Sequence, residues 1–160
     1  MILGLSIETF TQLHVILSLI GIATGIVVLI AMSSGRYPAG LTGVFLLTTL
    51  LTTLTGFFFP TGGLTPAQIV GYISLAILIV ALLALYIFKL NGPWRWLYVI
   101  TAAAALFLNV FVAIVQSFQK IEFLQPLAPT QSEPPFLAAQ IVALALCALL
   151  AVRALRRFYP

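Results

Sequence analysis

Apolar residues run along the chain in five long stretches, separated by short breaks of polar, Pro and Gly residues. The stretches lie at about 13–32, 41–59, 66–88, 96–118 and 135–152. A helix needs about 20 mostly apolar residues to cross a bilayer, so each stretch predicts a spanning helix. Ser33-Ser34-Gly35-Arg36-Tyr37-Pro38 ends the first stretch, Pro60-Thr61-Gly62-Gly63 the second and Asn91-Gly92-Pro93 the third. The longest connection, 119–134, is rich in Pro, Gln, Ser and Thr. The pattern predicts an all-α, five-helix transmembrane bundle forming a single domain over 1–160, with no room for a soluble domain.

Composition agrees. Hydrophobic residues make up 62% of the chain and charged residues only 6%, against roughly 25% charged in a soluble domain. Such a chain cannot coat a water-facing surface with charge. One cysteine excludes an internal disulfide and a CxxC site. The N-terminus carries Glu8 and lacks a basic region ahead of its apolar run, so it reads as a retained anchor, not a cleaved signal.

Charge sets an expected orientation. Arg36, Lys89, Arg95, Arg153, Arg156 and Arg157 fall on one side of the expected topology, and only Lys120 on the other. The positive-inside rule then places the N-terminus outside and the C-terminus in the cytoplasm, as expected of a multi-pass protein of a bacterial inner membrane. The net charge of +4 is spread over three juxtamembrane segments and does not point to nucleic acid. Trp94, Trp96 and Tyr98 read as a cytoplasmic aromatic belt.

The chemistry of a membrane sequence lies in its intramembrane polar groups. His14 is followed at helical spacing by Ser18, Gly21 and Gly25, a small-residue face suited to close helix approach. Thr48, Thr52, Thr55 and Gly56 share a face of the second span. Asn109 and Gln116 share a face of the fourth, and Gln140 lies in the fifth, with Cys147 deeper. Gln131 and Glu133 sit in the long connection. Each reads either as packing and hydrogen-bond glue or as part of a site. His14, Thr52, Asn109, Gln116 and Gln140 fall at mid-membrane or in the outer half, while the inner half reads as nearly free of polar groups. That asymmetry predicts a polar pocket open to the outside, with Gln131 and Glu133 at its rim.

His14, the run Gly56-Phe57-Phe58-Phe59-Pro60, the segment Leu108-Asn109-Val110-Phe111-Val112 and the segment Ala128-Pro129-Thr130-Gln131-Ser132-Glu133-Pro134-Pro135-Phe136 together resemble a group of small, uncharacterised bacterial inner-membrane proteins. The resemblance carries no activity with it. The first half is also similar to small membrane families with an early histidine, some of whose members have further histidines that could bind metal or haem.

One histidine and one cysteine do not make a usual zinc site, and bis-histidine haem within one chain is excluded. A single axial haem ligand at His14 stays open; no cofactor is required by the sequence. The leading expectation is a non-enzymatic protein that binds a small amphipathic or lipid-like molecule, such as a quinone, through His14, Thr52, Asn109, Gln116, Gln131, Glu133 and Gln140. The expected partners are the lipid bilayer and either a membrane protein or a second copy. The alternatives are a small-solute or proton-coupled transporter titrating at His14 and Glu133, and a haem- or metal-dependent membrane enzyme.

Overall fold

The computed structural model describes all 160 residues, and its architecture is all-helical. Helices α1 (Ile7–Ser33), α2 (Ala39–Gly56), α3 (Pro66–Leu82), α4 (Pro93–Lys120) and α5 (Pro134–Arg157) are each long and apolar enough, with the turn that extends α3, to cross a membrane. Several boundaries differ from the apolar stretches. Helix α1 begins earlier, because the Ser6 hydroxyl accepts the Thr9 amide and Glu8 suits the positive first turn. Helices α4 and α5 run on into polar residues, α5 through Arg157. Helix α2 stops at Gly56, and Phe57–Phe59 form the turn that follows.

Helix α3 opens with a capping box, Thr65 and Gln68 each bonding the other's backbone, with Pro66 in the first turn. It ends in a π-helical turn, Leu83–Ile87, where the Phe88 amide reaches Leu83. Lys89 and Leu90 then adopt left-handed φ angles of 50° and 60°, a disfavoured conformation for side-chain-bearing residues. Phe88 stacks flat on Trp94 at 3.8 Å across this turn.

The helices alternate in direction. His14 near the start of α1 meets Thr55 near the end of α2, and Phe57 after α2 meets Tyr72 near the start of α3. At the other end, Arg95 of α4 reaches the last turn of α5. The N-terminus and the 119–134 connection therefore share one end of the bundle. Arg36, Lys89, Arg95 and the C-terminal arginines share the opposite, basic end.

The main core joins Val28, Leu29 and Met32 of α1, Phe45 and Leu46 of α2, Leu78 of α3, Leu106 of α4 and Phe158 after α5. A small satellite of Phe118, Ala128 and Phe136 fixes the 119–134 connection to the bundle. Outward faces are also apolar, with Ile16, Leu19, Leu47, Ile87, Ile141 and Leu146 all exposed. Helices apolar on every side suit hydrocarbon surroundings, and the architecture suits a multi-pass membrane protein.

Two expectations are corrected here. Tyr98 is not a belt residue: it is fully buried among core residues, its ring 6.4 Å from that of Phe158. Its position on α4 turns it toward α2, while Trp96 faces outward. The basic half is also not free of polar groups, since Thr42, Ser33 and Tyr98 are all buried there. Thr42 and Tyr98 were hidden in the sequence by their nearness to the span ends.

Candidate functional site

The first polar group stands at the N-terminal end, between α1 and α2. His14 Nδ1 lies 2.8 Å from Thr55 Oγ1. That threonine hydroxyl lies 2.7 Å from the Leu51 carbonyl and 3.1 Å from that of Thr52. A hydroxyl has one proton, and Thr55 gives it to its own helix, so Nδ1 donates to Thr55. A neutral His14 is then protonated at Nδ1 and carries a lone pair at Nε2. The ring is half-buried, Nε2 is neither sealed in nor bonded to the protein, and Phe59 packs edge-on at 5.2 Å. Gly56 leaves room for the imidazole: a Cβ there would stand 3.6 Å from His14 Cε1.

The second group lies deeper, where α1, α2 and α4 meet. Ser18 donates to Asn109 Oδ1 at 3.0 Å. A Cβ on Gly21 would stand 3.0 Å from Thr49 Oγ1, 3.1 Å from Asn109 Nδ2 and 3.3 Å from Thr48 Oγ1. Glycine therefore lets three polar tips from two neighbouring helices close on α1. Asn109 Nδ2 and Thr49 Oγ1 are buried without a hydrogen-bond partner. Thr49 lies off the Thr48, Thr52 and Thr55 face that the sequence singles out. Its signal was the spacing of four residues back from Thr53, equally compatible with a lipid-facing hydroxyl bonded to its own helix.

The third group holds the 119–134 connection and α5 to α4. Gln140 Nε2 donates to the Phe111 carbonyl at 3.2 Å, and Gln131 Nε2 to the Val115 carbonyl at 3.2 Å. These carbonyls lie one turn apart, so the two glutamines form successive rungs on one helix. Glu133 accepts from the Thr130 hydroxyl at 2.7 Å and from the Thr130 and Ser132 amides. The Thr130 hydroxyl foremost, with those amides, holds the Glu133 carboxyl below the usual carboxylate range. Thr52 gives its proton to Thr48 within α2. Gln116 is half-buried and hydrogen-bonds to none of these groups.

Of the seven expected site residues, the hydrogen bonds tie His14 to α2, Asn109 to α1, and Gln131 and Gln140 to α4. They do not join Glu133 or Gln131 to His14. Two clefts mark the ends of the bundle. One of about 320 Å³ is lined by Phe118, Gln119, Gln125, Ala128, Pro129 and Gln131. One of about 410 Å³ at the basic end includes Lys89, Asn91, Arg95 and Tyr159. No three His, Cys, Asp or Glu side chains converge as a metal site would require. No family model, curated protein or solved structure matches the chain, so the resemblance drawn from its sequence rests on the quoted residues alone.

Proposed function

We propose that this is a non-enzymatic multi-pass protein of the bacterial inner membrane that binds a small amphipathic molecule through His14. The observation that carries the reading is the His14–Thr55 pair, which leaves Nε2 as a fixed acceptor at a half-buried edge of the bundle. An acceptor in such surroundings selects a ligand that donates a hydrogen bond. The favoured class is a phenolic or hydroquinone headgroup whose ring packs against Phe59 and whose tail lies along the apolar outer faces. The segregation of basic residues supports an N-terminal end facing outward, and in that orientation His14 would lie in the outer leaflet. Gln116 and Thr52 would line the inner wall; Asn109 and Gln140 would hold the helices in register, and Gln131 and Glu133 would shape the rim.

The test is native mass spectrometry of the protein released in mild detergent, followed by titration with a short-chain hydroquinone. A stoichiometric complex that is lost in His14→Phe and retained in the surface control Lys120→Gln supports the reading. Equal binding by wild type and His14→Phe, or no binding by a folded wild type, overturns it.

A further inference from the structure

Five buried side-chain polar atoms have no hydrogen-bond partner: Thr42 Oγ1, Thr49 Oγ1, Tyr98 Oη, Asn109 Nδ2 and Gln140 Oε1. Four of the five lie along the α1–α2–α4 seam. An unpaired polar group in hydrocarbon costs several kcal/mol, so four in one seam call for a shared partner.

The threonines of α2 make the point locally. Thr48, Thr52, Thr53 and Thr55 each return their proton to a carbonyl of the preceding turn. Thr49 and Thr42 do not, although both are buried, at 3% and 0% exposure. Thr49 meets the Gly21 notch beside Asn109. Thr42 stands by the Tyr98 phenol without reaching hydrogen-bond geometry. Beyond that pair, Tyr37 and Tyr86 carry phenols to the surface at the basic end, and Tyr86 Oη lies 4.0 Å from where a Gly43 Cβ would be.

The seam thus reads, from one end of the bundle to the other, as His14 and Thr55, then Thr52, then Ser18, Asn109, Thr48 and Thr49, then Thr42, Tyr98 and Tyr37. One layer interrupts it. The Phe45 ring fills the space opposite Gly25, where a Cβ would stand 2.7 Å from the ring, with Leu106 beside it at 2.9 Å. The layer separates Thr49 from Thr42 by seven residues of α2, about 10 Å along the axis.

We propose that this seam is a water-borne proton path closed by Phe45. Water entering from each end would bond the orphaned groups, which supply the several polar partners a buried water requires. The Phe45–Leu106 layer acts as a hydrophobic constriction that conducts only when wetted. A proton taken up by water at one end is matched by a proton released at the other. Each hydroxyl and amide returns to its starting state, and no electron moves. The named seam residues include no Asp, Glu, Lys or Arg, so nothing there would compensate a dehydrated metal ion, and the path is selective for protons and water. The path shares its His14, Thr55 and Thr52 end with the proposed ligand site, but the residues varied below, Phe45 and Thr49, do not contribute to the His14 acceptor.

The experiment uses the full chain in phosphatidylethanolamine–phosphatidylglycerol vesicles with a trapped pH-sensitive dye and a potassium diffusion potential. Phe45→Ser is expected to acidify or alkalinise the lumen several-fold faster than wild type, without potassium or chloride leak. Adding Thr49→Val to Phe45→Ser is expected to bring the rate back toward wild type. A folded Phe45→Ser variant no faster than wild type overturns the proposal, as does a leak indifferent to Thr49→Val. Should Phe45→Ser fail to fold, Thr49→Cys in a Cys147→Ala background gives a second route. A thiol reagent that requires the thiolate modifies that cysteine only if water reaches it. Modification supports the path, and a folded, unreactive Thr49→Cys variant overturns it.

Discussion

His14 Nδ1 stands 2.8 Å from a Thr55 hydroxyl that is itself committed to the backbone of α2. The tautomer of the only histidine follows from a threonine 41 residues away. Nitrogen NMR of the detergent-solubilised protein should show His14 protonated at Nδ1 in its neutral form. Thr55→Val removes the acceptor and should shift the ring toward the Nε2-protonated tautomer, at a stability cost of about 1 kcal/mol.

The two glycines of the α1 face should respond differently to alanine. A Gly25 Cβ would press on the Phe45 and Leu106 side chains at 2.7 and 2.9 Å, whereas a Gly21 Cβ would meet polar tips at 3.0 to 3.3 Å. Gly25→Ala is expected to destabilise by about 1–3 kcal/mol through overpacking, and Gly21→Ala by less. Reversible unfolding in mixed micelles would rank them.

Ser18 and Asn109 should be energetically coupled. Their hydrogen bond joins α1 to α4 at 3.0 Å. A double-mutant cycle with Ser18→Ala and Asn109→Leu is expected to give about 0.6 kcal/mol, the average for such bonds between membrane helices. No coupling would place the Asn109 amide elsewhere.

The turn before α5 should loosen in acid. The folded carboxyl of Glu133 titrates below its ordinary range because the Thr130 hydroxyl and nearby amides bond its ionised form. A depressed folded value means that the contribution is present above the unfolded carboxylate pKa and is lost as pH falls through the folded one. Proteolysis within 121–133 should accelerate in that acid window for wild type. Glu133→Gln should show the faster rate already at neutral pH, with little further change.

Arg95 should hold the C-terminal segment in place. Its guanidinium donates to the Leu155 and Phe158 carbonyls at 3.1 and 2.7 Å and lies over the Tyr159 ring. Arg95→Lys keeps the charge but cannot reproduce the fork. Hydrogen exchange at 155–160 should rise in that variant, with a stability loss of about 1.5–3 kcal/mol.

The five helices were legible because each needs a long apolar run, and such runs are hard to disguise. Helix ends were less so: Ser6 and the arginines after Val152 extend helices through residues that hydropathy treats as breaks. Among site residues, His14, Asn109, Gln131 and Gln140 stood out as polar groups among apolar neighbours, and each makes a contact between elements. Thr49 and Thr42 did not, because a threonine in a span looks the same whether its proton goes to its own helix or across an interface. Tyr98 is misleading for a related reason: the two tryptophans just before it suggest an interface, while the two-residue step from Trp96 to Tyr98 carries them to opposite faces of the helix.

Helix α2 is the least apolar of the five, and most of its threonine hydroxyls are satisfied only once the helix itself has formed. This has a consequence for biogenesis. As the chain leaves the ribosome, α1 can partition into lipid on its own, but α2 is a poor candidate for independent release. The two are expected to leave the insertion machinery as a hairpin, with the Gly21 and Gly25 notches already closed on Thr49 and Phe45. A nascent chain stalled within α2 would leave α1 with a bare glycine groove, open to whatever helix lies nearby.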